Sequence, residues 1–339
     1  MVPQIERDEL LSAWRALASM HGREGWRTIH IAIGSPCRVL AGRHFPGNEE
    51  ALLVRFMSAR IPPEAQLPQG RGFLVSQVQP SLEGEPGEWL ALRRQRAGSL
   101  ELFALMALDL VATISGPPSG DDSRILPVFL ARIRAWQEFM RRTGDGMLTG
   151  EEEVGLYGEL ELLWQLLEVG LPADMCVNSW EGPLDGLQDF RLGMGAIEVK
   201  STLAQKGFEA SITSLDQLDE SLIQPLFLAG VRLAQGPVGR TLPEMIVDLR
   251  GALVEDPTAC AELNTRLLKA GYCDEFANSY TRRFTCVGSR LLAVRNTFPR
   301  LTKSNVSEAI RSARYEIELD LITDGEFGLT EALQQLGVI

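Results

Sequence analysis

The sequence predicts an α/β (α+β) fold organised in three parts. Five short strand-like runs between residues 26 and 94 indicate a β-rich domain over residues 1–120. A capped helix followed by a two-strand hairpin predicts a core over residues 121–240. Helical and strand-like patterns then alternate, which predicts an α/β extension over residues 241–339.

The N-terminal strands are separated by turn-forming residues, among them those at 34–36 and 46–48. A mostly apolar run from Leu100 to Ile114 predicts a helix that is too short to span a membrane. Residues 116–123 are typical of a linker, and the spacing of residues 125–142 predicts an amphipathic helix leading into the core.

The helix of the core is expected to begin after Thr149, because Thr149 and Glu152 fit a capping box. Gly170 fits its C-terminal stop. Glu159 falls on the side of this helix that is expected to pack, where a glutamate is costly unless it is paired or bound to a metal. We therefore favour Glu159 as a functional acid; the alternative is a half-exposed glutamate neutralised by an arginine. The stripe expected to face solvent contains Glu161, Gln165 and Glu168.

Asp189, Glu198 and Lys200 form the most informative group of residues. Side chains alternate along a strand, so Glu198 and Lys200 project from one face, while Asp189 lies on the neighbouring strand of the hairpin. Two carboxylates close together suit Mg²⁺, and a lysine beside them can orient a metal-bound water. Such a group is suited to cleaving a phosphodiester. Composition alone predicts roughly 0.5 pairs of an acid two residues before a lysine, so the context of the pair gives it its specificity. The alternative is an exposed surface pair that contributes about 0–1 kcal/mol.

Beyond the hairpin, a strand is expected over residues 207–214, a short helix over 216–224 and a buried strand over 225–234. Helices are expected at about 242–254 and 257–270, followed by strands over 283–294 and 313–322. The buried face of the last strand is predicted to contain Tyr315, Ile317, Leu319 and Leu321.

Four motifs occur in order: G-E-L at 158–160, W-E-G-P at 180–183, Q-D-F at 188–190 and I-E-V-K-S at 197–201. Together they resemble the PD-(D/E)XK nuclease superfamily. More narrowly, they are similar to bacterial restriction-endonuclease-like "PD-(D/E)XK motif" proteins that are often linked to phage-defence gene clusters. The resemblance implies a restriction-endonuclease-like core of a helix, three strands, a helix and a strand, and it implies Mg²⁺-dependent DNA cleavage. It covers residues 149–218, and Gln188 stands where the motif has proline.

The resemblance also implies roles for individual residues. Asp189 and Glu198 match the metal-binding acids, Lys200 matches the catalytic lysine and Glu159 matches the acid on the first core helix. Gln217, in the S-L-D-Q-L run, is a weaker candidate for binding.

The cofactor expected at this group is Mg²⁺, with Mn²⁺ as a substitute, and the carbonyl of Val199 is a further candidate ligand. The function predicted is a DNA endonuclease in restriction or phage defence. The alternative is a non-catalytic nucleic-acid-binding or scaffolding subunit on a nuclease-like core.

The net charge of −12 is unfavourable for a DNA-binding protein, because phosphate contacts supply most non-specific affinity. Either arginines form a basic patch, or a second subunit of a homodimer or a defence-system partner protein supplies the contacts with DNA. Scattered surface arginines are a third alternative. The candidate patch in the C-terminal third contains Arg282, Arg283, Arg290, Arg295 and Arg300.

The five cysteines include no C-x-x-C pair, which disfavours a zinc site or a disulfide framework and favours buried free thiols. No run of 18 apolar residues occurs, and the N-terminus lacks the basic-then-apolar order of a signal peptide. The sequence therefore predicts a cytoplasmic protein without a membrane partner.

Overall fold

Helices combine with antiparallel and mixed sheets in this chain, which confirms the predicted α+β class. The computed structural model describes residues 7–19, 24–31, 37–78, 88–114, 123–143, 147–295 and 297–339. Two compact units are present, Met1–Gly146 and Met147–Ile339. The expected boundary at residue 120 lies inside the first unit and that at 240 inside the second, and the division into three parts stays a prediction.

The strands of the first unit are β1 (Gly25–His30), β2 (Arg38–Phe45), β3 (Glu49–Phe56), β4 (Phe73–Val78) and β5 (Glu88–Arg94). They form one antiparallel sheet in the order β1-β2-β3-β5-β4. The five predicted N-terminal strands are therefore confirmed. A turn between the second and third strands places Asn48 at φ 60°, a conformation that asparagine tolerates better than most residues.

Three helices belong to the first unit: α1 (Arg7–Ala18), α2 (Leu100–Ile114) and α3 (Ile125–Thr143). The last two are the predicted ones, whereas α1 was not predicted. Trp14 of α1 is buried and its Nε1–H donates to the carbonyl of Ala51, at 2.9 Å. Of the expected linker, residues 116–122 lie outside the described residues.

The strands of the second unit are β6 (Phe190–Leu192), β7 (Gly195–Thr202), β8 (Glu209–Ile212), β9 (Leu226–Thr241), β10 (Arg283–Ala293) and β11 (Tyr315–Glu318). The main sheet has the order β10-β9-β7-β6. Its central pair, β7 and β9, is parallel, and the outer pairs are antiparallel. A separate two-stranded sheet joins β8 to β11.

Helices pack against one face of the main sheet and form the larger core of this unit. The capping box at Thr149 is present, and Gly170 follows the first of these helices at φ +86°, so both predicted helix ends are confirmed. The helices are α4 (Gly150–Glu168), α5 (Ala173–Ser179), α6 (Leu242–Ala252), α7 (Pro257–Lys269) and α8 (Leu329–Gln335).

Residues 216–224 form turns, so the helix predicted there is wrong. The hydroxyl of Ser214 accepts from the N–H groups of Asp216 and Gln217, and the carboxylate of Asp219 accepts from Ser221. Short polar side chains of this kind offer the backbone an alternative to helical hydrogen bonds. The strand predicted after the hairpin is present as β8, and it pairs with β11 outside the main sheet.

Leu321 is 80% exposed, so its predicted burial is wrong. The strand β11 ends at Glu318, and residues Leu319–Leu321 form a 3₁₀ turn. The strand therefore ends three residues before Leu321.

Among the described residues, no helix has both the length and the apolar character that crossing a membrane requires. None of the five cysteines forms a disulfide; Cys37 and Cys176 are buried, and the others are half-buried.

Close approach of α4 to β7 depends on Gly158. A Cβ at this position would lie 1.7 Å from Oγ and 2.9 Å from Cβ of Ser201. Gly155, one turn earlier on the same helix, has no atom within 4 Å of its Cβ position. The two glycines therefore form a matched pair, one tightly packed and one open.

We expect Gly158→Ala to lower the free energy of unfolding by about 1–3 kcal/mol, because the added methyl group overpacks the contact between helix and strand. Gly155→Ala should instead raise it by about 0.5–1 kcal/mol, the ordinary gain of alanine within a helix. Denaturant unfolding in chelator measures both. Equal effects of the two substitutions would show that α4 does not depend on this contact.

Candidate active site

Asp189 lies immediately before β6, beside the middle of β7. Its Oδ2 accepts a hydrogen bond from the backbone N–H of Val199, at 2.7 Å. Its carbonyl accepts from the N–H groups of Glu181 and Gly182, at 2.7 and 3.0 Å. The aspartate is therefore fixed at both its side chain and its backbone, next to the strand that carries Glu198.

Glu198 and Lys200 project from the same face of β7, as the alternation predicts, while Ile197 and Val199 enter the larger core. Glu198 is 1% exposed. The Nζ of Lys200 lies 2.7 Å from Oε1 of Glu198, and beyond this ion pair that oxygen has no hydrogen-bond partner. The pair is thus enclosed by the protein, so the alternative of an exposed surface pair is wrong.

Glu159 extends from α4, and its Oε2 accepts a hydrogen bond from Nε1–H of Trp180, at 2.7 Å. No arginine pairs with it among the described residues, so the alternative of an arginine-neutralised glutamate does not apply to Glu159. It applies to Glu161, which is 9% exposed and lies 3.7 Å from Nη2 of Arg240. The predicted exposure of Glu161 is wrong, because β9 brings Arg240 against that side of α4.

The missing side chain of Gly182 keeps a gap open between two of the acids. A Cβ at this position would lie 2.9 Å from Oε2 of Glu159 and 3.0 Å from Oδ1 of Asp189. Both oxygens therefore face the same small space. The sequence signal for this glycine was the W-E-G-P motif, in which neither Trp180 nor Gly182 was assigned a role.

Glu198 is buried and Glu159 and Asp189 are half-buried, and the loss of surrounding water makes all three carboxyl groups harder to ionise. It raises the pKa of Glu198 to about 8, and the nearby charge of Asp189 adds to the effect. Burial likewise raises the pKa of Glu159 well above its ordinary value, again with a contribution from Asp189. The pKa of Asp189 is raised by burial too, although Lys200 and the N–H of Val199 oppose the shift.

Lys200 keeps its positive charge in this setting. Burial lowers the pKa of its ammonium group, but the charges of Glu198 and Asp189 outweigh burial, so the pKa is raised overall. One ammonium group thus faces three carboxyl groups. The group of residues lacks positive charge, which a bound cation would supply.

These residues fit a divalent metal ion. Hard carboxylate oxygens are the ligands that Mg²⁺ prefers, and the ion usually takes only one or two carboxylates from the protein. The oxygens of Asp189 and Glu159 face a gap that a Cβ would fill, and Oε1 of Glu198 has only its ion pair. Within the described ranges, no group of three or more His, Cys, Asp or Glu has the arrangement of a complete metal site. A metal would therefore be held by fewer carboxylates than three, with other ligands completing its shell.

Gln217 lies in the turns that follow β8, and its Oε1 accepts from the N–H of Thr213, at 2.8 Å. Its side chain stabilises this turn, and none of its contacts is with the three acids. Nε2 of Gln188 donates weakly to the carbonyls of Asp216 and Gln217, at 3.5 and 3.4 Å. The residue that replaces the motif's proline thus ties the backbone before Asp189 to the same turns.

The five C-terminal arginines do not form a surface of free positive charge. Four of them are ion-paired with glutamates, and Arg295 donates to Oε1 of Gln335, at 2.9 Å. The ion pairs are Arg282 with Glu153 at 2.6 Å, Arg283 with Glu244 at 2.6 Å, Arg290 with Glu326 at 2.7 Å, and Arg300 with Glu220.

Comparison with protein families gives one finding. A family described as "Putative PD-(D/E)XK family member, (DUF4420)" matches residues 10–320. The match confirms the resemblance carried by residues 149–218 and extends it over most of the chain. Neither the curated proteins nor the solved structures contain a match to this chain.

We expect Mg²⁺ to stabilise the protein more at pH 8 than at pH 6. The folded-state pKa of Glu198, about 8, lies above the ordinary value of 4.5. Its contribution to the stability of the metal-free protein is therefore full below pH 4.5 and is lost as the pH rises through 8. Because a metal competes with this proton, apparent affinity should rise by up to about tenfold per pH unit between pH 6 and 8.

Thermal unfolding with Mg²⁺ and with chelator measures this effect at both pH values. In Glu198→Gln the shift in Tm caused by Mg²⁺ should differ less between pH 6 and pH 8 than it does in the wild type. A shift in Tm on adding Mg²⁺ that is the same at pH 6 and pH 8 in the wild type would contradict the role of this carboxyl group.

Gly182→Ala should weaken metal binding at least tenfold, because its methyl group would occupy the gap between Glu159 and Asp189. Calorimetric titration with Mg²⁺ or Mn²⁺ measures the affinity. Gly155→Ala is the control, since its methyl group meets open space. Unchanged affinity in Gly182→Ala would mean that the oxygens facing the gap, Oδ1 of Asp189 among them, do not hold the ion.

Proposed function

Because the chain belongs to the PD-(D/E)XK family that matches residues 10–320, we propose that it is a metal-dependent DNA endonuclease. The observation that carries this proposal is the meeting of Glu159, Asp189 and Glu198 with Lys200 in one partly buried corner. Family membership supports a nuclease-like fold, and the reaction proposed is hydrolysis of a phosphodiester bond.

The proposed cofactor is Mg²⁺, with Mn²⁺ as a substitute, held by Asp189 and Glu198 with the carbonyl of Val199 as a further ligand. When bound, such an ion polarises a phosphoryl oxygen and lowers the pKa of its bound water. Oδ2 of Asp189 already accepts the N–H of Val199, which leaves Oδ1 for the ion. The raised pKa of all three acids in the metal-free protein is the electrostatic reason why a cation would bind here.

Lys200 is proposed to position the attacking water and to offset the negative charge that builds on the scissile phosphate. Its ammonium group is held by Glu198, at 2.7 Å, which fixes its direction. Glu159 lies across the gap from Asp189 and is proposed to hold a further water or a second ion there. In the proposed reaction the oxygen of water bonds to phosphorus and the ester P–O bond breaks. The water loses one proton, and the leaving oxygen takes one.

The second candidate is a non-catalytic nucleic-acid-binding or scaffolding subunit. The net charge of −12 and the ion-paired C-terminal arginines favour it, because both weaken the attraction of this chain for phosphates. A scaffold predicts no Mg²⁺ binding that depends on Asp189 and Glu198. Calorimetry on Asp189→Asn and Glu198→Gln therefore separates the two functions.

DNA is the proposed substrate, and a restriction or phage-defence role in the cytoplasm is the proposed setting. Because the arginines named above are engaged within the chain, the contacts with DNA are proposed to involve a second copy of this chain or a defence-system partner. A homodimer would also supply the two sites that cutting both strands usually takes.

Asp189→Asn and Lys200→Ala should each lower cleavage of plasmid and linear DNA by about 10²–10³-fold or more, since each removes a charge that stabilises the reacting phosphate or its ion. Thermal unfolding in chelator should stay close to that of the wild type, and chelator should abolish cleavage by the wild type.

Glu161→Gln is the matched control, because it alters a buried glutamate of the same helix that pairs with Arg240 instead of facing the gap. It should retain activity. Undiminished cleavage by Asp189→Asn or by Lys200→Ala would end the assignment.

A further inference from the structure

Trp180 contacts the candidate site although the sequence assigns it no role. Its side chain is fully buried, yet its Nε1–H donates to Oε2 of Glu159, at 2.7 Å. Within the described part of the chain, this indole is the sole hydrogen-bond donor to the carboxylate of Glu159. The oxygen it contacts is also the one that faces the gap left by Gly182.

The backbone of the same segment holds the second acid. The N–H groups of Glu181 and Gly182, the next two residues, donate to the carbonyl of Asp189. Trp180 itself forms an antiparallel bridge with Phe190, which directly follows Asp189. One short segment thus touches Glu159 through a side chain and Asp189 through its backbone.

This segment is held firmly from its other side. The guanidinium group of Arg266, on α7, donates to the carbonyl of Trp180 and pairs with Glu262, at 2.7 Å. Arg266 is itself buried. An arginine that satisfies a carbonyl inside the core leaves Trp180 little freedom to move away from Glu159.

A glutamate needs such a partner if it is to serve a metal site. Its side chain has three rotatable bonds, and a buried carboxylate without a donor would turn toward whichever partner it could reach. A hydrogen bond to one lone pair of Oε2 fixes the direction of the carboxylate and leaves the other lone pair for the gap. Partners that orient metal ligands in this way typically change affinity or activity by about 10–100-fold when they are removed.

We propose that Trp180 is a positioning residue that holds Glu159 toward the space it shares with Asp189 and so strengthens metal binding, through the water or second ion that Glu159 is proposed to hold there. This inference rests on the proposed function. It assigns Trp180 no contact with substrate, because the residue acts through Glu159.

Trp180→Phe removes the donor while keeping most of the buried ring. Trp136→Phe is the matched control, because Trp136 is also buried, at 2% exposed, and its Nε1–H donates to Oδ2 of Asp109 at the same 2.7 Å. Calorimetric titration with Mn²⁺ should show an affinity at least about tenfold weaker in Trp180→Phe and unchanged in Trp136→Phe. Tm in chelator shows how far each variant loses stability.

A double substitution tests whether Trp180 acts through Glu159. If it does, Trp180→Phe should cost little further Mn²⁺ affinity in a Glu159→Gln background. Equal losses of affinity with and without Glu159 would overturn the proposal, and so would unchanged affinity in Trp180→Phe. Failure of the wild type to bind Mn²⁺ would instead contradict the proposed function, and the role of Trp180 with it.

If Trp180→Phe does not fold, a measurement on the wild type tests the role of Trp180 instead. The indole N–H signal of Trp180 in a nitrogen-15 NMR spectrum should shift when Mg²⁺ is added, since its acceptor is then drawn toward the ion. The signal of Trp136 should not shift. A Trp180 signal that is indifferent to Mg²⁺ would overturn the proposal.

Discussion

Crowding of three carboxyl groups in a partly buried corner is the constraint on which this site depends. Each carboxyl group has a compensating contact: Lys200 for Glu198, the N–H of Val199 for Asp189 and the indole of Trp180 for Glu159. These contacts do not balance the charge, because burial raises the pKa of all three acids and repulsion by Asp189 adds to the rise at Glu159 and Glu198. A fold selected only for stability would replace such groups with apolar ones. Their presence is understood if a cation completes the site.

The surrounding fold supplies the geometry that the acids need. The strand β7 pairs in parallel with β9 on one side, and on the other side β6 pairs with it over Gly195–Ile197. Glu198 and Lys200 therefore lie past the end of the pairing with β6. Gly158 lets α4 lie close to β7, which brings Glu159 to the same corner. The site is therefore built mainly on a helix and a strand, with one anchored loop completing it.

Local patterns made part of the site predictable from sequence. Glu198, Lys200 and Asp189 belong to one hairpin, so the period of a strand and the length of a turn were enough to bring them together. Contacts between distant segments were not predictable in this way. The indole N–H that donates to Glu159 belongs to Trp180, 21 residues further along the chain. The arginine that pairs with Glu161 is Arg240, which belongs to β9. The helix predicted at 216–224 does not form because side chains compete with helical hydrogen bonds there. Those of Ser214 and Asp219 accept hydrogen bonds from the backbone N–H groups of this segment.

A crystal structure with Mn²⁺ bound would show where a cation sits in this corner, because anomalous scattering locates the ion without assumptions about its ligands. We expect a single strong peak between the carboxylates of Asp189 and Glu198, beside the gap at Gly182, and its loss in Asp189→Asn. A structure at millimolar Mn²⁺ with no peak there, and with Lys200 still paired to Glu198, would contradict this expectation.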